Sequence, residues 1–287
     1  ETYAEPAGIK VVEVKNDNIT GQIDLNDLES KITSKCAAVY LENPSYLGCL
    51  QTNAHDIAEI VHSNGALFVA GVDLISLGIL KPPGEYGADI AIGEGQCLGN
   101  AMNYGGPLLG VFTCKGEELL RQMPGRIIGL TTTKDEKHRA YCMALQTREQ
   151  HIRRERATSN ICTNHALCAL TAAVYLSLMG ASGIRELGMA ILSKTQYAIN
   201  ELNRIKRIKV PLMQAQHFKE FTVSFNESGR KVRDLEGSLL TKGIQIGAPV
   251  TESIPELGET AVFSVTEIHS KEDIDKLCTA ISEVLQS

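Results

Sequence analysis

The side chains with the greatest chemical capacity gather in a glycine-rich segment, Gly93 to Gly106, which reads GEGQCLGNAMNYGG. Gln96, Cys97 and Asn103 stand within it. What is missing is an amine. No lysine occurs between Lys81 and Lys115, so nothing in this loop can condense with an aldehyde to form a Schiff base. The run Gly93 to Gly99 also departs from the dinucleotide-binding fingerprint: three residues rather than two precede its last glycine, and no helical pattern follows directly. Its glycine content predicts a backbone that turns tightly or approaches another surface.

A second constellation is TREQHIRRER, Thr147 to Arg156, which holds Arg148, Arg153, Arg154 and Arg156 beside Glu149 and Glu155. On a helix Glu149 lies four residues before Arg153, the favourable order for an ion pair. The segment reads either as a self-paired solvated face or as a contact for an anionic group or partner chain, since guanidinium forks suit carboxylates and phosphates. Cys162, His165 and Cys168 recur every three residues, but the surrounding ICTNHALCALTAA reads as a packing surface and not as a zinc ligand set, so no metal is expected. No Ser-His-Asp ordering and no His-Glu metal motif is present.

The elements that must position these residues follow from periodicity. Apolar alternation predicts a strand from Ile9 to Val14. A helix follows from Asp24 to Lys35, capped by Asp24, with Leu25, Leu28 and Ile32 on one face. Ala37 to Leu41 reads as a strand, Asn53 to Asn64 as a helix ended by Gly65, and Ala66 to Val72 as a second strand. Further apolar runs from Ala88 to Ile92 and Leu108 to Phe112 flank the glycine-rich loop. Strand, helix, strand in this rhythm predicts a parallel sheet with crossover helices.

From Thr147 to Met179 a long helical region is expected, broken near Ser159 and Asn160, where Asn160 or Thr163 could cap a new helix. Gly180 to Gly183 marks a break, and Ile184 to Ile205 a further helix. The last eighty or so residues change rhythm: strand Phe221 to Phe225, helix Lys231 to Thr241, strands Ile244 to Ile246 and Ala261 to Val265, helix Lys271 to Leu285. The expected organisation is a large α/β domain over 1–180 and a small C-terminal α/β domain over 181–287.

Composition bounds the class. The chain has 287 residues, 43% of them hydrophobic, enough for a substantial core. A net charge of −6 argues against nucleic acid as a partner. Eight scattered cysteines, without a CxxC pair, read as reduced thiols of a cytosolic protein. No signal or transit sequence is visible, and no apolar run is expected to reach the ~20 residues of a membrane span. The first residue is Glu1, and the pattern opens midway, which suggests a fragment.

Four stretches together carry a resemblance to a known family: DLISLGILKPPGEYGADIAIGEGQCLG at 73–99, YGGP at 104–107, MPGRIIGLT at 123–131, and ALQTREQHIRRERATSNICTNHAL at 144–167. They resemble the glycine decarboxylase of the glycine cleavage system, the P-protein, and within it subunit 1 of the two-subunit form. The resemblance runs over the whole chain and implies a further N-terminal part not contained in it.

The resemblance implies a fold-type I pyridoxal-phosphate architecture, α/β, with a mostly parallel sheet and a small C-terminal domain. It implies an α2β2 heterotetramer in which the homologous subunit 2 supplies the Schiff-base lysine and holds the cofactor. The place aligned with that lysine is Gln96-Cys97 here. The carboxylate that pairs with the pyridine nitrogen aligns with Ala70, and Asp73 falls three residues late. Two defining contacts would then be absent, so neither catalytic nor cofactor-binding roles are carried onto this chain.

The reaction implied is decarboxylation of glycine and passage of the aminomethyl group to the lipoyl arm of the H-protein, in the cytoplasm, without nucleic acid or membrane. Residues expected to shape the cleft or the subunit interface are Gln96, Asn103, Arg148, Arg153, Arg154 and Asn160. Ordinary intersubunit packing is the alternative for each. Two other readings of the whole stay open: a self-sufficient pyridoxal-phosphate enzyme using Lys81 or Lys115, and a scaffold or regulator that kept the fold.

Overall fold

The computed structural model describes residues 2–145, 150–157 and 164–286. The chain builds its main sheet first. Helix α1 (Leu25–Lys31) starts where the Asp24 carboxylate accepts the N–H groups of Asn26 and Asp27, and it buries Leu28. Strand β1 (Ala38–Asn43), helix α2 (Ala54–Ser63) and strand β2 (Leu67–Val72) form one crossover unit, with β1 and β2 parallel and Ala38 opposite Leu67. Gly65 ends α2 at φ 74°, where the Ala66 N–H returns to the Val61 carbonyl.

Strand β3 (Ile90–Glu94) runs parallel to β2, and β4 (Gly110–Cys114) returns antiparallel along β3, giving the order β1-β2-β3-β4. Leu28, Ile57, Val61, Phe68 and Ala70 close one face of this sheet. On the other side Leu50, Ile75, Leu98, Ile191 and Phe218 form a second core. This is the mostly parallel α/β sheet that the strand rhythm predicts.

A short helix α3 (Glu117–Gln122) leads to a separate hairpin, β5 (Ile127–Thr132) with β6 (Arg139–Ala144). Helix α4 (Gln150–Arg153) passes into a single 3-10 turn ending at Arg156. Helix α5 (Ala166–Leu202) is long and kinked at Gly180, which holds φ 61° and ψ −177°. Its C-terminal end packs on a three-stranded sheet of order β7-β9-β8, from β7 (Glu220–Ser224), β8 (Ala248–Pro249) and β9 (Thr260–Ser264). Helices α6 (Val232–Leu240) and α7 (Lys271–Gln286) cover that sheet around Phe221, Val223, Phe225, Leu235 and Ile281.

Several expectations give way. Residues Ile9 to Val14 form no strand: among the described residues no strand pairs with them, Ile9, Val11 and Val12 are exposed, and the local bridge joins Asn16 to Ile23 instead. Ile244 to Ile246 is not a strand either; Ile246 is buried through its side chain, while the ladder forms at Ala248 and Pro249. The helical region from Thr147 is interrupted, because Ala157, Asn164 and His165 are not helical and α5 begins at Ala166. The break expected at Ser159 and Asn160, and the cap at Thr163, lie outside the described residues. In α5 an 18-residue stretch is apolar enough, by composition and length, to cross a membrane, contrary to the expectation that no run is long enough.

Candidate functional site

In an open parallel sheet the crevice beyond the carboxyl ends of the strands is where ligands bind. Here the chain leaves β1 at Asn43, β2 at Val72 and β3 at Glu94, and the register sets Val72 opposite Gly93. Asp73 is the first residue beyond β2. Its Oδ1 accepts the N–H groups of Ile75 (3.0 Å) and Ser76 (2.9 Å), which starts the 3-10 turn at Ser76–Gly78. Its Oδ2 forms an ion pair with Lys219, from the segment entering β7.

Lys219 is held firmly. The Phe218 N–H donates to the Gly48 carbonyl at 3.2 Å, and the Val265 N–H donates to the Lys219 carbonyl at 2.8 Å. Gly48, at φ 81°, lies so close to the Glu220 carbonyl that any Cβ there would overlap it. The Glu220 carboxylate stands 4.0 Å from Lys219 Nζ and accepts from the Ser264 hydroxyl at 3.3 Å. Burial disfavours the Lys219 ammonium, but Asp73 and Glu220 together outweigh it and hold the amine charged above its ordinary range. Burial pushes the Glu220 carboxyl up to about 7, with the attraction of Lys219 only partly offsetting it. These groups line a cleft of about 830 Å³ between the sheet ends, β9 and the first turn of α7, to which Glu42, Tyr46 and His269 also contribute.

The glycine-rich loop folds beside this cleft. Glu94 Oε1 accepts the N–H groups of Gln96 (2.9 Å) and Leu109 (2.7 Å), and the Gly95 N–H donates to the Leu109 carbonyl at 2.7 Å. The Gln96 side-chain amide donates to the Gly106 carbonyl at 3.2 Å, while Asn103 and Gly106 exchange backbone hydrogen bonds. Gly99 packs against Tyr175 of α5, and the Asn100 amide donates to the Cys168 carbonyl at 3.3 Å. Both expected reasons for glycine therefore operate, a tight turn and a close approach. Cys97 keeps part of its surface open to solvent, while its sulfur is packed closely enough by its neighbours that desolvation, and then the nearby Asp73 charge, push the thiol up to about 11 against the pull of Lys219.

Gln96, Cys97 and Asn103 thus share one loop, with Gln96 half-buried and Asn103 exposed. Arg153 and Arg154 are exposed on the short turn that precedes α5, and among the described residues no hydrogen bond or ion pair joins them to the loop. Arg148, Asn160, Glu149 and Cys162 lie outside the described residues. Asp73, Lys219 and Glu220 carry no local motif. The pairing of Asp73 with Lys219 spans 146 positions, and the one available signal is a Lys-Glu pair standing immediately before an apolar strand.

A mostly parallel α/β sheet with its crevice at the strand ends, followed by a small sheet domain, is the fold of fold-type I pyridoxal-phosphate enzymes; a NifS-like protein matches 99% of this chain with a TM-score of 0.68 at 17% identity. The match to the glycine cleavage system P-protein family covers residues 1–281, and the chain belongs to that family. The "probable glycine dehydrogenase (decarboxylating) subunit 1" of Staphylothermus marinus is 49% identical over 99% of this chain, and that of Pyrococcus abyssi 44% identical over 99%. A crystal structure of an inhibitor-bound glycine decarboxylase (P-protein) aligns with a TM-score of 0.88 at 33% identity, covering 99% of this chain and 61% of that one. The chain spans about three fifths of the length of these relatives, 60% and 62% of the two subunits.

The residues present do not fit pyridoxal phosphate held by this chain. Gln96 offers an amide that cannot condense with an aldehyde. Ala70 is a fully buried methyl group with no carboxylate for a pyridinium nitrogen. The carboxylate of Asp73 is already committed to two backbone N–H groups and to Lys219.

Proposed function

We propose that this chain serves as subunit 1 of a glycine dehydrogenase (decarboxylating), completing an active site whose pyridoxal phosphate is held by a homologous lysine-bearing partner. The observation that supports the reading is the glycine-rich loop at the carboxyl end of β3, which is folded back on itself through Gln96 and contains no lysine, the resemblance aligning Gln96-Cys97 with the Schiff-base lysine. The assembled enzyme decarboxylates glycine and passes the aminomethyl group to the lipoyl arm of an H-protein, as an α2β2 heterotetramer in the cytoplasm. In it, residues 1–180 are read as the large domain and residues 181–287 as the small one, with Ile191 and Phe218 reaching back into the core of the main sheet.

An unusual apolar surface supports a partnered chain. Leu130 and Tyr141 in the hairpin, Leu167 and Leu178 in α5, and Met102 and Tyr104 in the glycine-rich loop are all exposed. Exposed apolar side chains of this size are the material from which interaction surfaces are built. A self-sufficient enzyme gains no support from Lys115: its N–H donates to the Asp89 carbonyl, at the amino end of β3 and away from the crevice. Lys81 is exposed in the loop before Pro83 and lines no part of the cleft.

The test is visible absorption of the full-length protein with pyridoxal phosphate, alone and mixed with its lysine-bearing homologue, followed by borohydride reduction and mass mapping. A cofactor band seen only in the mixture, with the label on the partner, is the expected result. A band and a label on this chain alone would overturn the reading.

A further inference from the structure

We infer that the Lys219–Asp73 ion pair fills the place in which a pyridoxal-phosphate enzyme of this fold keeps its cofactor, so that this chain excludes the cofactor by an internal occupant as well as by lacking an amine. The inference rests on the lysine-free reading given above and goes beyond it by naming what stands in the site. In such an enzyme the cofactor lies between the strand bearing its carboxylate partner and the loop bearing its lysine. By the resemblance, those are β2, at Ala70, and the turn that follows β3, at Gln96-Cys97.

The sheet register brings the two together, since Val72 faces Gly93 across the β2–β3 ladder. Asp73 and Glu94 therefore open the crevice side by side. Lys219 enters it from the opposite wall and pairs with Asp73. Its ammonium also lies near enough to Cys97, the neighbour of Gln96, to favour that thiol's ionised form, although the thiol stays protonated. The amine thus sits at the mouth of β2, beside the loop that follows β3.

Two features make the occupant hard to displace. The backbone of Lys219 sits at φ 49° and is tied to Val265, and the next residue is wedged against Gly48, so the side chain has a fixed origin. The charge balance also disfavours the ligand. Lys219 faces Asp73 and Glu220, and over the whole cleft the carboxylates of Glu42, Asp73, Glu220 and Asp273 outnumber the ammonium groups of Lys219 and Lys276, a balance that disfavours a phosphate dianion even with Glu220 partly protonated. The N–H groups of Ile75 and Ser76 that could have received an anion are taken by Asp73.

The experiment restores the amine with and without the occupant. Full-length wild type, Gln96→Lys, and the triple variant Gln96→Lys with Asp73→Asn and Lys219→Met are incubated with pyridoxal 5′-phosphate, reduced with borohydride and mapped by peptide mass. Asparagine keeps the acceptor for Ile75 and Ser76, and methionine keeps the apolar stem. The expected result is label at position 96 at least ten-fold higher in the triple variant than in Gln96→Lys.

Equal label in Gln96→Lys alone, or no more label in a folded triple variant than in the single one, overturns the inference. Should the triple variant not fold, Gln96→Lys with Lys219→Gln retains Asp73 and its backbone bonds and gives the same comparison. Label on wild type at a residue other than Lys219 defeats the functional reading alone; label on wild type at Lys219 defeats both.

Discussion

Gly99 lies directly against Tyr175, so that a methyl group added at Gly99 would stand 2.9 Å from the tyrosine Cβ and 3.1 Å from its Cδ2. Gly99 also holds φ 85°, a conformation costly for any residue with a side chain. The glycine-rich loop is thus docked onto α5 through the one residue type that permits the approach. Gly99→Ala is expected to lower stability by about 1–3 kcal/mol, from backbone strain and overpacking together. Gly84→Ala is the control: nothing lies within 4 Å of its added methyl, and its effect should stay near zero. Thermal melts of both variants check this, and an unchanged melting temperature for Gly99→Ala would show that the loop is not held by this contact.

Where local physics decided the structure, the sequence was readable. Asp24 caps α1 because a carboxylate preceding an amphipathic run satisfies N–H groups that the helix cannot. Gly65 and Gly180 punctuate helices because only glycine takes those backbone angles without penalty. The β5–β6 hairpin escaped notice because most of its residues are exposed, so no alternation of buried and open positions marks it. The same blindness covered the cleft. Nothing near Lys219 in sequence announces Asp73, since their meeting depends on β7 being brought to the end of β2 by the intervening helices. The false strand at Ile9 to Val14 shows the converse: alternation without a neighbouring strand builds no ladder, and the Ile9 N–H turns instead to the Ala4 carbonyl while the Glu13 carbonyl accepts from Lys31 Nζ.

Glu220 gives a pH signature. Its carboxyl titrates at about 7 in the folded chain, against 4.5 as the ordinary value, chiefly because burial disfavours the charge. Between those two values the folded protein holds a proton that the unfolded chain has released. Stability therefore falls as pH rises from 4.5 to about 7 and levels off above. Glu220→Gln removes this contribution while leaving the Lys219–Asp73 pair in place. Relative to wild type the variant should gain on the order of 1–2 kcal/mol at pH 8 and little near pH 4.5. Melting curves of both proteins across that range measure the difference; a gap that does not change with pH would contradict the burial of the charged form.

The hairpin supplies the last prediction. Leu130 and Tyr141 face each other across β5 and β6, and they are 65% and 71% exposed, so their apolar surface does nothing for the isolated fold. Replacing both with threonine keeps strand preference and removes the apolar area. The isolated chain should therefore melt within about 0.5 kcal/mol of wild type. Burying such side chains against a partner is worth roughly 1.5–3 kcal/mol each, reduced by the ordering that binding imposes. Loss of the pair should then weaken association with the lysine-bearing partner at least ten-fold, read by sedimentation of the mixed chains. Unaltered association with an unaltered melt would remove the hairpin from the interface and leave the exposed start of α5, at Leu167 and Leu170, as the surface to alter next. Weakened self-association without any change toward the partner would instead assign the hairpin to contact between copies of this chain.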